Sequence, residues 1–173
     1  IVTSLPSAKA VLATIDAIAA SKAKNFTIIE TSTLSLPDKL ALAATLPTLA
    51  FAQTKKVVLV DADMRGPRLH DVFKLSNRTG LSGILSGRSD NQVIQQVPGV
   101  PSLFVLPLGT TPPNPLELVE RPAFGLLMRE LASKFDHVIV DTPAATYGAD
   151  AMVIAARCGA ALVVARKDMS RVA

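Results

Sequence analysis

The chain has no tryptophan, one tyrosine and an aromatic fraction of only 4%, so it offers no platform on which nucleic-acid bases could stack. Its single cysteine, Cys158, lies in the apolar run "VIAARCGAALVV". An internal disulfide is therefore impossible, and the residue is expected to be a small buried core side chain in a reducing compartment. Long hydrophobic runs are missing as well. The longest apolar uncharged window, Leu40 to Thr54, is fifteen residues broken by Pro47, whereas a membrane-spanning helix needs roughly 20. No signal-peptide pattern opens the chain and its first residue is Ile, which fits one domain of a longer protein. Charge of one sign is not in large excess. Eighteen Lys and Arg against fourteen Asp and Glu leave a net charge of +4, too mild for a nucleic-acid surface.

What is present is core. With 49% hydrophobic residues in 173, the chain can fill one domain, taken as residues 1–173, but not two. Short β-branched runs recur at 25–30 ("NFTIIE"), 56–61 ("KVVLVD"), 102–108 ("SLFVLPL"), 137–141 ("HVIVD") and 160–165 ("AALVVA"). Each is expected to be a buried strand. Segments with helical spacing lie between them at 7–23, 38–53, 122–133 and 149–157. Such alternation implies an α/β fold with a mostly parallel central sheet and helices on both faces. Six of the twelve prolines fall between Pro98 and Pro115, so that stretch is expected to combine one strand with stiff extended loops.

In parallel sheets ligands bind beyond the carboxyl ends of the strands, and three of the expected strands end in an acid: Glu30, Asp61 and Asp141. In "VVLVDADMRGP", Asp61 and Asp63 would share one side if the backbone stayed extended. Two carboxylates there could hold Mg²⁺, or one could hold metal while the other took a proton from an attacking hydroxyl. The plainer alternative is that Asp61 caps the following turn and Asp63 is solvated. Asp141, closing "FDHVIVD" before a proline, has the arrangement of a Walker B acid. Seven Lys and Arg against three Asp between Lys55 and Arg88 account for the whole net charge. Arg65 and Arg68 could steer phosphate or an acidic tail, or simply be solvated loop residues. His70 and His137 lack metal-ligand spacing, and His137 is expected to open a strand.

The segments "FAQTKKVVLVDADMRGPRLHDVF", "NRTGLSGILSG", "LPLGTTPPNPLELVERPAF", "FDHVIVDTP" and "ADAMVIAARCGAALVV" together resemble the bacterial tyrosine kinases of exopolysaccharide and capsule synthesis, P-loop proteins related to the partitioning ATPases. The likeness runs from Phe26 to Arg166, and "DADMRGP" and "PPNPLEL" are its most specific pieces. The resemblance implies transfer of the γ-phosphoryl group of ATP to tyrosine, with ATP and Mg²⁺ as cofactors. It assigns Asp61 to the metal-linked acid, Asp63 to the group facing the acceptor hydroxyl, Asp141 to the Walker B acid and Lys39 to the Walker A lysine; Arg65, from the basic stretch, is a further candidate for binding the nucleotide. It also implies a cytoplasmic domain held at the inner membrane through a chain-length regulator or a further segment.

One scarcity then becomes specific. Where the family has a strand, a G-x-G-K-[ST]-T loop and a helix, this chain has Leu36, Pro37, Asp38, Lys39, Leu40 and Ala41. Only the lysine remains. Glycines let the loop backbone turn its N–H groups onto phosphates, and Pro37 removes one donor outright. Leu40 offers no hydroxyl to Mg²⁺, and Asp38 can occupy the helix start where a phosphate would sit. Losing about three charge-assisted hydrogen bonds, at roughly 1.5 to 3 kcal/mol each, lowers affinity a thousandfold or more. Pro47 would also kink the helix that follows the loop. The amino-terminal helix lacks the family's E-x-x-R-x-x-R ring-forming pattern, which suits a monomer or weak oligomer. Tyr147 is the sole tyrosine where the family carries a C-terminal cluster. These departures favour a pseudokinase with weak or no ATP binding. An active kinase or ATPase and a structural partitioning-type scaffold are the alternatives.

Overall fold

The computed structural model describes residues 2–4, 25–30, 55–88 and 93–165. Lys39 with its whole loop, Pro47 and the helices expected at 7–23 and 38–53 lie outside the described residues. Within them the chain forms a seven-stranded sheet in the order β1-β7-β2-β6-β3-β5-β4. The strands are β1 (Val2–Ser4), β2 (Asn25–Glu30), β3 (Val57–Asp61), β4 (Gln95–Gln96), β5 (Leu103–Leu106), β6 (His137–Asp141) and β7 (Ala161–Ala165). All pairings are parallel except β4 on β5. All five strands expected from sequence are present, and the helix expected at 149–157 is α5 (Asp150–Ala156). No helix among the described residues is long and apolar enough to cross a membrane.

The centre of the sheet is buried on both sides. Val58, Val60, Val138 and Val140 join one apolar cluster, while the alternate residues Val57, Leu59 and Ile139 are buried as well. This is why "VVLVD" and "HVIVD" read as unbroken apolar runs rather than alternating ones. Four helices contribute to the cluster: α2 (Leu81–Leu85), α3 (Pro115–Glu120), α4 (Pro122–Lys134) and α5. In α4, Phe124, Leu127, Met128 and Leu131 recur at the spacing of one helical stripe, and each is buried. Phe124 is fully enclosed, and emptying such a site typically costs about 3 to 5 kcal/mol. Cys158, expected to be fully buried, is partly exposed and packs against the edge of this cluster.

Three short helices were not legible in the sequence: α1 (Leu69–Phe73), α2 and α3. The proline-rich stretch is not extended to its end, because Pro115 is the first residue of α3. Proline is well suited to that position, since its missing N–H would have had no helical partner there. The strands β1 and β4 also went unseen, being three and two residues long.

Two of the segments quoted above prove to be one unit. Leu81 and Ser82 donate their backbone N–H groups to Pro107 O and Leu108 O, each at 2.9 Å. Asn77 Oδ1 accepts from Gly109 N at 2.7 Å, and Ser82 Oγ donates to Thr110 O at 2.6 Å. The backbones meet so closely that a Cβ on Gly80 would lie 2.1 Å from Pro107 O, and Gly109 has φ +79°. Neither position tolerates a side chain. The crossing fixes the loop after β5 against α2 and so sets where α3 begins.

Candidate active site at the ends of β3 and β6

The strand β6 returns to fill the place between β2 and β3, so its terminal acid arrives beside that of β3. Asp61 and Asp141 are register partners at the carboxyl ends of the two strands, on parallel neighbours spaced about 4.8 Å apart. Ala62 N donates to Asp141 O at 2.9 Å, extending the ladder one step.

Beyond Ala62 the backbone does not stay extended, contrary to the expectation for Asp61 and Asp63. Met64 N donates to Ala62 O at 2.9 Å, which closes a three-residue turn. Asp63 is 5% exposed and is not solvated. Its Oδ1 accepts from Arg65 N at 3.1 Å and Gly66 N at 3.0 Å, the Asx-type bonding that stabilises a tight turn. Asp61 Oδ2 accepts from Leu69 N, the first residue of α1, at 3.2 Å. The two acids therefore organise the turn "DADMRGPRL" from both ends.

Asp61 is fully buried, and its Oδ1 has no hydrogen-bond partner among the described residues. Burial raises its pKa from 3.8 to about 7, and the nearby Asp63 charge adds to the rise. The Leu69 N–H is the largest opposing influence. A buried carboxylate with an idle oxygen fits a hard cation. Magnesium commonly takes one or two carboxylates, keeps several waters and completes its shell with phosphate oxygens. Asp61, with Asp141 beside it, is the residue that would hold it. No cluster of three or more His, Cys, Asp or Glu suited to a metal occurs among the described residues.

Arg65, expected beside a nucleotide, pairs with an acid on another element. Its Nε and Nη2 both donate to Asp150 Oδ2, at 2.9 and 2.8 Å. Asp150 is buried at the first position of α5 and was not singled out in the sequence. The signal was an isolated acid in the otherwise apolar "DAMVIAA". Arg68 pairs with the exposed Asp71 at 3.6 Å and is itself half exposed, the solvated alternative. His137 opens β6, as expected. Tyr147 is 65% exposed on the 3₁₀ turn Ala145–Tyr147 that follows Asp141.

No family model matches the chain. It is 34% identical over 148 residues, or 86% of its length, to the tyrosine-protein kinase ptk of Acinetobacter johnsonii, of which it spans 20%. Among solved structures, the chimerical protein CapA2B2 superimposes with a TM-score of 0.78 at 32% identity, over 92% of this chain and 72% of that one. The kinase domain of Escherichia coli tyrosine kinase ETK gives 0.79 at 32% identity, over 90% and 60%. The cell division ATPase MinD of Pyrococcus furiosus shares the fold at a TM-score of 0.64, 23% identity and coverage of 82% and 59%. The sheet order, the paired strand-end acids and this likeness together make the chain a member of the bacterial tyrosine kinase family, with a P-loop NTPase-like fold.

Proposed function

We propose that this domain is a pseudokinase of the exopolysaccharide and capsule apparatus. It binds Mg-ATP weakly or not at all, and it docks on or regulates a membrane chain-length regulator. One sequence observation carries the proposal: Leu36-Pro37-Asp38-Lys39-Leu40 supplies neither the glycines nor the hydroxyl that a phosphate loop requires. The likeness to a CapA2B2 chimera supports a partner of the CapA type.

When bound, ATP with Mg²⁺ would supply the transferable phosphoryl group and the charge that neutralises it. The chain's own residues contribute the rest. Asp61 and Asp141 would hold the cation, and Asp63 would orient the turn and face an acceptor hydroxyl. Lys39 would be the only side chain left from the phosphate grip.

A second reading, an active kinase, is favoured by the buried oxygen of Asp61 that has no hydrogen-bond partner among the described residues. Such a group is costly to keep without a cation to offset it. The two readings separate on one experiment. The triple variant Leu36→Gly, Asp38→Gly, Leu40→Thr should bind Mg-ATP at least a hundredfold more tightly than the natural sequence if the loop is the defect. Equal, micromolar binding by both proteins would refute the pseudokinase reading.

A further inference from the structure

The pair formed by Arg65 and Asp150 is the part of the site that the functional reading does not use. Arg65 lies inside the acid-bearing turn, between Asp63, which accepts its backbone N–H, and Leu69, whose N–H bonds Asp61. Its guanidinium leaves the turn and grips a buried carboxylate on α5, 85 residues further along the chain. Ala62, Met64, Pro115, Val119 and Pro143 line the space beside the contact, and Asp150 is buried there while the Arg65 side chain keeps part of its surface in solvent. A Cβ on Gly148 would lie 3.1 Å from Asp150 Oδ2 and 3.2 Å from Arg65 Nη2.

Asp150 Oδ1 has no hydrogen-bond partner among the described residues, so Arg65 is the group that compensates this buried charge. A buried charge held by one cation makes a stiff connection, because releasing it leaves the charge uncompensated. We propose that Asp150 is a positioning residue. Acting through Arg65, it anchors the Asp61–Asp63 turn to α5 and so holds Asp61, beside Asp141, in the geometry that binds a divalent cation. This rests on the reading of the turn as a cation site.

The test uses Asp150→Asn, which preserves shape while removing charge, and Arg65→Lys, which keeps charge but loses the Nε donor. Amide hydrogen exchange is read at Arg65, Gly66 and Leu69 against the amides of β3 and β6, and Mn²⁺ affinity is read by water-proton relaxation. In Asp150→Asn the three turn amides should exchange about tenfold faster while the strands are unchanged, and Mn²⁺ affinity should fall about tenfold. Arg65→Lys should fall between that variant and the natural protein on both readouts. Unchanged exchange in the turn, or faster exchange spread evenly over the sheet, overturns the proposal. A looser turn with unaltered Mn²⁺ affinity also overturns it, and leaves the cation site standing. Failure of the natural protein itself to bind Mn²⁺ would instead overturn the cation reading, and the positioning role with it.

Discussion

Two buried acids stand near the carboxyl edge of this sheet and have opposite surroundings. Asp150 meets a guanidinium at 2.8 Å. Asp61 meets the Leu69 N–H and a neighbouring acid, and one of its oxygens has no hydrogen-bond partner among the described residues. Both bear the desolvation of a carboxylate, and among the described residues only Asp150 meets a cation. The difference separates structure from function: a compensated charge ties two elements together, whereas an uncompensated one is a place for something else to bind.

The largest effect should come from breaking the compensated pair. Arg65→Gln leaves Asp150 buried without its cation and should cost about 2 to 4 kcal/mol in denaturant unfolding. That is near the lower end of the range for buried pairs, because the Arg65 side chain is 45% exposed. A cost below about 0.5 kcal/mol would class the contact with ordinary surface ion pairs.

At Asp61 the sign should reverse. Well below pH 3.8 its carboxyl is protonated whether the chain is folded or not, and it costs nothing. Between 3.8 and about 7 the unfolded chain releases the proton and the folded chain retains it, so stability falls as pH rises through that window. Above it the penalty is constant. Asp61→Asn should therefore stabilise the fold at pH 8 by roughly 2 to 4 kcal/mol and remove this part of the pH dependence. Unfolding curves at pH 5 and pH 8 for both proteins check the prediction, and an equal loss of stability in both would contradict it.

Millimolar Mg²⁺ should raise the melting midpoint of the natural protein at pH 8 by a few degrees and leave Asp61→Asn unmoved. The smallest effect should be at Glu117, whose carboxyl Arg121 and Asn114 hold below its ordinary pKa on a fully exposed helix face. Glu117→Gln should leave the melting midpoint unchanged within error, because solvent screens such a pair.

The sequence made the sheet legible because its central strands are buried on both faces and therefore read as uninterrupted apolar runs. It located Asp61, Asp63 and Asp141 for the same reason, since each falls where such a run stops. It did not disclose the turn that follows. Asp63 was expected to share a face with Asp61 through strand alternation, but the bond from Met64 N to Ala62 O ends that alternation at once. Nor did it disclose the partner of Arg65, because a contact across 85 residues leaves no local pattern. The helices it missed, α1, α2 and α3, are five or six residues long, too short for a helical period to emerge. The crossing of Gly80 and Gly109 was likewise hidden, since a glycine required by tertiary contact looks in sequence like any loop glycine.

The most direct test of the central claim, a retained acid site with a lost phosphate grip, is calorimetric titration of the natural domain with Mg-ATP beside an Asp61→Ala variant. The account predicts at most millimolar binding to the natural domain. Micromolar binding that disappears in Asp61→Ala would contradict it and make this domain a working nucleotide site.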